Sequence, residues 1–199
     1  MIDNLTLNYD NSNQLHYIND AIANSFWSSL QDSKDYTTGT GVEYTYNTNG
    51  SMTKDLNKGI SAITYNILNL PRQIDIKHSS AEARDEYVYS AGGQKLKVIQ
   101  KWNPSYSTTP VVGTAINTSA LTITKTTDYI GNKIYENGTL KMIRTDNGYF
   151  DYSTNKYYFY TRYHLGNNRV VADKDAAVTQ STQYYPFGMA FATSTGQNV

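Results

Sequence analysis

The chain has 199 residues, 19 of them tyrosine, with 17 Lys+Arg balanced by 17 Asp+Glu and no cysteine. Zero formal charge removes the electrostatic footprint of a nucleic-acid binder. The lack of cysteine excludes disulfides, zinc–thiolate sites and thiol nucleophiles, and no apolar run approaches the ~18 residues of a membrane helix. With 39% hydrophobic residues, below the usual ~45–50%, the chain is expected to build thin, partly wet β-layers faced with tyrosine rather than one thick apolar core.

In chain order, the first element is a turn after Tyr9, in Tyr9-Asp10-Asn11-Ser12-Asn13-Gln14-Leu15. Three more segments place Gly or Asn four residues after a tyrosine: Tyr46 to Gly50, Tyr65 to Asn69, and Tyr89 to Gly93. The spacing predicts a hairpin in which tyrosine ends a strand and Asn13, Gly50, Asn69 or Gly93 takes the left-handed conformation that most residues resist. A lone hairpin is marginal in water, so successive hairpins are expected to pair into one long antiparallel sheet. The stretch from Asn19 to Leu30 could hold a short helix capped by Asn19 or Asp20, with Ile22, Phe26 and Leu30 as its stripe. Glu43-Tyr44-Thr45-Tyr46, Ile74 with Ile76, Glu86-Tyr87-Val88-Tyr89 and Gln94 to Trp102 alternate as strands do. Pro104 to Ala120, rich in Ser, Thr and Pro, reads as a loop or linker dividing hairpins 1–103 from hairpins 121–199.

Lys133 to Lys141 contains Asn137-Gly138, the preferred type I′ pair of a two-residue loop, which sets Tyr135 opposite Leu140 and Glu136 opposite Thr139. Further turns are expected at Asp146-Asn147-Gly148, at Gly166-Asn167-Asn168, around Asp173-Lys174-Asp175, and at the corner fixed by Pro186 and Gly188. From Ala176 to Val199 there is no charge, so a terminal edge strand there would invite edge-to-edge self-association.

Candidate sites are few. His16, His78 and His164 are the only histidines, and none has metal-motif spacing. His164 is expected to position the Leu165–Arg169 turn, and Arg169 to tie that turn to nearby carbonyls or an acid. Asp173 and Asp175 could share a face as glycosidase acids or calcium ligands, but beside Lys174 they read better as a solvated hairpin tip. Glu82, Arg84, Asp85 and Glu86 read as a solvated charged stretch. With no nucleophile–base constellation and no G-x-S-x-G elbow, no enzyme, metal or cofactor is expected.

The tyrosine-turn copies resemble the YD repeats of RHS (rearrangement hot spot) and teneurin-like proteins. Tyr163-His164-Leu165-Gly166-Asn167-Asn168-Arg169-Val170 followed by Tyr184-Tyr185-Pro186-Phe187-Gly188 resembles the first half of the RHS repeat-associated core. Asp128-Tyr129-Ile130-Gly131-Asn132 with Tyr135-Glu136-Asn137-Gly138 resembles the segment preceding that core in Bacteroidetes members. The resemblance implies an all-β protein of antiparallel hairpin repeats forming a curved or spiral sheet. It also implies a bacterial, secreted or cell-surface scaffold that encloses or presents a C-terminal effector or toxin. The expected partners are the rest of such a shell, or the effector. The second core half is not matched, so the chain reads as a C-terminally truncated fragment, and the self-cleavage known in the family carries over to no residue here. The alternative function is a carbohydrate-binding or adhesion surface made of exposed tyrosine rows, with cell-surface glycans as partners.

Overall fold

In the computed structural model, residues 4–21, 41–78, 81–106, 114–185, 188 and 190–195 are described. They form sixteen β-strands and one three-residue 3-10 turn, Thr118–Ala120. The chain is all-β, and among the described residues consecutive strands pair antiparallel. Asn19 and Asp20, the expected caps of a short helix, are the last residues of a strand. The remainder of that stretch, from residue 22 to 30, lies outside the described residues.

Contacts divide the chain into two units, one running to Thr126 and one beginning at Thr127. The first contains β1 (Leu5–Tyr9), β2 (Leu15–Asp20), β3 (Tyr44–Tyr46), β4 (Met52–Asp55), β5 (Ile60–Tyr65), β6 (Pro71–His78), β7 (Ala81–Tyr89) and β8 (Lys95–Trp102). Its alternation sorts side chains by face. Across β5 to β8 one face carries Ile63, Ile74, Ile76, Tyr87, Val98 and Trp102, while the opposite face carries Asp75, Lys77, Glu82, Arg84, Glu86 and Lys101. The Pro104 to Ala120 stretch holds only the 3-10 turn among its described residues, and Asn117 caps that turn by accepting the Ser119 N–H.

The boundary falls within β9 (Ile123–Ile130). There follow β10 (Lys133–Glu136), β11 (Thr139–Thr145), β12 (Gly148–Asp151), β13 (Lys156–Arg162), β14 (Asn168–Asp173), β15 (Val178–Tyr184) and β16 (Ala190–Thr195). Tyr135 lies opposite Leu140 and Glu136 opposite Thr139, the register that the Asn137-Gly138 pair dictates. Asn137 and Gly138 have φ of 48° and 80°. On β12 and β13, Tyr149 pairs with Tyr158 and Phe150 with Tyr157. The first pair stacks with ring centroids 4.9 Å apart, and the second meets edge-on at 4.8 Å.

The sheets are thin. Among the described residues, the buried apolar ones are Tyr44, Val98, Ile116, Ile134 and Val171, whereas Glu43, Asp55, Asn57, Ser61, Asp75, Glu82, Asp173 and Thr182 are buried polar groups. Burying so many polar groups is tolerable only where each finds partners, and those partnerships organise the molecule.

Candidate functional site

Seven hairpins share one turn. In each, two strand residues face each other across five intervening positions, and the register slips by one residue immediately before them. The closing pairs are Tyr9–Leu15, Tyr46–Met52, Tyr65–Pro71, Tyr89–Lys95, Arg162–Asn168, Ala172–Val178 and Tyr184–Ala190. The slip is a β-bulge that leaves one residue of the returning strand unpaired.

Three devices build this turn. The fourth residue after the closing tyrosine has positive φ: Asn13 59°, Gly50 78°, Asn69 57° and Gly93 82°, with Gly166, Ala176 and Gly188 in the corresponding places at 87°, 63° and 86°. The first turn residue then caps the loop. Asp10 Oδ1 accepts the N–H groups of Ser12 and Gln14 at 2.8 and 2.9 Å. Asn47 Oδ1 accepts those of Asn49 and Ser51, and Asn66 Oδ1 those of Leu68 and Leu70. Asp173 Oδ1 accepts those of Asp175 and Ala177, and Ser90 Oγ accepts that of Gln94. This is the side-chain turn that Asp and Asn make readily, and it gives the aspartate of a tyrosine–aspartate repeat its task.

The third device is the tyrosine. Tyr46 donates its hydroxyl to the Leu15 carbonyl, Tyr65 to Met52, Tyr89 to Pro71, and Tyr184 to Asn168. In all four cases the acceptor is the first residue after the preceding turn on the same edge. Each tyrosine therefore pins its hairpin to the one before it. Burial pushes the phenols of Tyr46, Tyr65 and Tyr89 above their ordinary pKa, which keeps them protonated as donors. Where the closing residue is Arg162, the guanidinium takes over: Nη2 donates to the Asp146 carbonyl at 2.9 Å and Nε to Asn168 Oδ1 at 3.1 Å. The arginine that ties this turn is thus Arg162. Arg169, expected to do so, is exposed and is the unpaired bulge residue opposite no strand partner. His164 is exposed within the turn, with its ring edge-on to Tyr163 at 4.3 Å. Pro186 lies outside the described residues, while the Gly188 N–H donates to the Tyr185 carbonyl at 2.9 Å.

Buried carboxylates form a second layer of ties. Glu43 is fully buried, and its Oε2 accepts the Ile18 N–H at 2.8 Å and Asn57 Nδ2 at 2.9 Å. Glu82, 3% exposed, accepts the Asn117 N–H through Oε1 and Asn103 Nδ2 through Oε2, with Lys77 Nζ 3.4 Å away. Lys77 also donates to the Ala115 carbonyl. Burial works against the charge of Glu82, but these donors outweigh it and hold the carboxyl below its ordinary pKa. Asp75 receives Arg84 in a two-pronged contact at 2.7 and 2.9 Å, the strong geometry for a guanidinium. The stretch from Glu82 to Glu86 is therefore a strand bearing a buried carboxylate and paired charges, not a solvated run.

Asp173 is likewise 6% exposed rather than solvated. Lys156 Nζ lies 2.6 Å from Asp173 and 3.3 Å from Asp175. A cation of the chain itself thus occupies the place between the two aspartates, and the Lys156 contact, ahead of the turn N–H groups, holds the Asp173 carboxyl below its ordinary pKa. One groove of about 650 Å³ is lined by Glu136, Asn137, Thr139, Leu140, Lys141, Tyr152 and Ser153.

Several solved structures resemble this chain, and two of them align with nearly all of it. The crystal structure of TcdB2-TccC3 without its hypervariable C-terminal region matches 97% of this chain at 14% identity, with a TM-score of 0.51. The crystal structure of TcdB2-TccC3-TEV matches 98% at 12% identity, with a TM-score of 0.53. What is shared is an RHS-like fold. This chain corresponds to 10% and 14% of those much longer chains. No protein-family model and no curated protein matches the sequence.

Proposed function

We propose that this chain is a structural, non-catalytic segment of an RHS-type wall, bacterial and secreted or on the cell surface, of the kind that encloses or presents a C-terminal effector polypeptide. The observation that carries the reading is the use of the tyrosines. Four tyrosine hydroxyls are committed to backbone carbonyls of neighbouring hairpins, and the buried carboxylates are committed to backbone and side-chain donors. These hydroxyls and carboxylates are occupied in holding hairpin to hairpin. The fold shared with chains of a toxin complex supports the same reading.

The test is a segment exchange. The matching stretch of the TcdB2-TccC3 chain is replaced by this one, and protease protection of the polypeptide downstream is measured. A wall segment leaves the assembly soluble and the downstream polypeptide protected; an assembly that forms but leaves it open to protease removes the reading. Non-catalysis is tested separately by incubating the purified chain for days across acid and neutral pH. A defined fragment that disappears in Asp173→Asn would reveal a self-cleaving site.

A second reading, a carbohydrate-binding or adhesion surface, is favoured by the groove lined by Tyr152, a residue 48% exposed, together with the Glu136–Lys141 ion pair. Glycan-array binding that is lost in Tyr152→Ala would establish it.

A further inference from the structure

Lys77, Glu82 and Asn103 stand in a row across neighbouring strands of the first unit. Lys77 on β6 faces Glu82 on β7. Asn103, directly after β8, donates its N–H to the Glu82 carbonyl at 3.0 Å, one step beyond the Ala83–Trp102 pair. Residues opposite one another across a sheet share a face, so the ammonium, the carboxylate and the amide meet on the polar side. With strands ~4.8 Å apart, the Lys77 and Asn103 backbones are separated by roughly 10 Å. One amide link between extended lysine and asparagine side chains spans that gap.

Glu82 touches both of its neighbours. Its Oε1 lies 3.4 Å from Lys77 Nζ, and its Oε2 accepts Asn103 Nδ2 at 3.2 Å. The side chains of Lys77 and Glu82 are 17% and 4% exposed, which shields their contact from water. Burial opposes the charge on Glu82, but the surrounding donors keep it ionised, the form that can take a proton. Asn103 Oδ1 accepts the Ser105 N–H at 3.1 Å. That donor sits where negative charge gathers when an amide carbon is attacked. The row therefore holds a nitrogen nucleophile, an amide electrophile and a carboxylate in reach of both the attacking and the leaving nitrogen, the parts of general acid–base catalysis at an amide.

We propose that Lys77 and Asn103 join in an intramolecular amide bond, with Glu82 carrying the protons. Glu82 takes a proton from the Lys77 ammonium, which gives up its contact with the Ala115 carbonyl. The free Nζ attacks Cγ of Asn103, and the Nζ–Cγ bond forms as charge gathers on Oδ1. The Cγ–Nδ2 bond then breaks. Nζ sheds two protons in all. Both pass by way of Glu82 to Nδ2, which leaves as ammonium, and Glu82 ends ionised as it began. The balance needs no oxidant, reductant or co-reactant. Holding the groups on one face replaces a bimolecular encounter with an intramolecular one. The product ties β6 to the end of β8 across β7, a covalent counterpart of the hydrogen-bonded ties between hairpins. It is independent of the wall function proposed above, because it depends only on this row of side chains.

The experiment is intact-mass spectrometry of the purified full chain, followed during incubation at neutral pH. The expected result is a mass lower than that of the sequence by one ammonia and, after proteolysis, a branched peptide joining the segments around Lys77 and Asn103. Lys77→Arg and Asn103→Ala keep their full masses. Glu82→Gln, with circular dichroism to verify its fold, forms the bond about a hundredfold more slowly. A wild-type chain that keeps its full mass through prolonged incubation would overturn the proposal. So would ammonia loss that persists in Lys77→Arg or Asn103→Ala, which marks a cyclic imide at an asparagine, or bond formation at the wild-type rate in folded Glu82→Gln.

Discussion

The two units solve the same problem, fixing the register of consecutive hairpins, in different ways. In the unit ending at Thr126, the turns after Tyr9, Tyr46, Tyr65 and Tyr89 are five residues long and bulged. A loop of that length does not hold register by itself, and at Tyr46, Tyr65 and Tyr89 the reference is supplied by a tyrosine hydroxyl fixed to the adjoining hairpin. In the unit beginning at Thr127, the turns at Gly131-Asn132, Asn137-Gly138 and Asp146-Asn147 are two residues long. Such a turn sets register locally, so the strands need no distant pin, and tyrosine and phenylalanine are free to pair ring against ring across β12 and β13. The same amino acid works through its hydroxyl in one setting and its ring in the other. The second unit returns to the pinned form at Arg162 and Tyr184, where five-residue turns resume.

The sharpest way to break this contrast is Gly148→Ala. A Cβ built on Gly148 would lie 1.9 Å from the Tyr158 carbonyl oxygen, a backbone atom that cannot give way without parting β12 from β13. A loss of roughly 3 kcal/mol or more is expected, with hydrogen-exchange protection falling in β11 to β13 and persisting in β5 to β8. Uniform loss across both units would show that they do not unfold separately.

Next in size is Glu82→Ala, which leaves Lys77 and the Asn103 and Asn117 donors without their shared acceptor. Breaking a buried charged contact of this kind costs about 3–5 kcal/mol. The wild-type chain carries the matching pH dependence. The folded pKa of Glu82 is lowered, so its contribution is complete above the ordinary carboxylate value of about 4.3 and is lost as pH falls through the lower folded value. Denaturant midpoints measured down this range should fall, and Glu82→Gln should flatten part of the slope.

Gly138→Val tests the local turn. Space around Gly138 is open, with no heavy atom within 4 Å of a built Cβ, so the expected cost of about 1–3 kcal/mol is backbone strain alone. An unchanged melting temperature would argue against a positive φ at that position.

The smallest effect distinguishes the two uses of tyrosine. Tyr65→Phe should cost about 1 kcal/mol, because it removes the donor to Met52. Tyr157→Phe, whose ring is the part in contact, should cost close to nothing. Equal effects would remove the distinction drawn between the units.

How much of this was legible depended on the distance over which each signal acts. The Asn137-Gly138 register could be read residue by residue because two-residue loops leave one geometry. The left-handed positions at Asn13, Gly50, Asn69 and Gly93 were marked by residue type. The pins were not legible: Tyr46 reaches an acceptor 31 residues earlier and Tyr89 one 18 residues earlier, and neither target can be named before both hairpins are in register. The turn from Asp173 to Ala177 was seen only as a polar tip, because Ala172 stands where other copies have tyrosine and Ala176 where they have Gly or Asn. Glu82 read as a solvated charge and Glu43 only as part of an alternating strand, since burial of a carboxylate is decided by N–H groups from distant segments, such as Asn117 and Ile18, that carry no sequence signature.

The bulged turn leaves two of its five positions unconstrained. Each turn fixes its first residue, its left-handed fourth residue and its closing pair, but the second and third positions are Thr48-Asn49, Ile67-Leu68 and Ala91-Gly92 in successive hairpins of the first unit. Ile67 is fully exposed. Alternate connections of a meander emerge at the same edge, and strands lie ~4.8 Å apart, so these pairs recur roughly every 10 Å along that edge. The fold thus supplies a graduated row of interchangeable positions, on which short peptide ligands could be mounted at set intervals for multivalent binding without touching the contacts that hold the sheet.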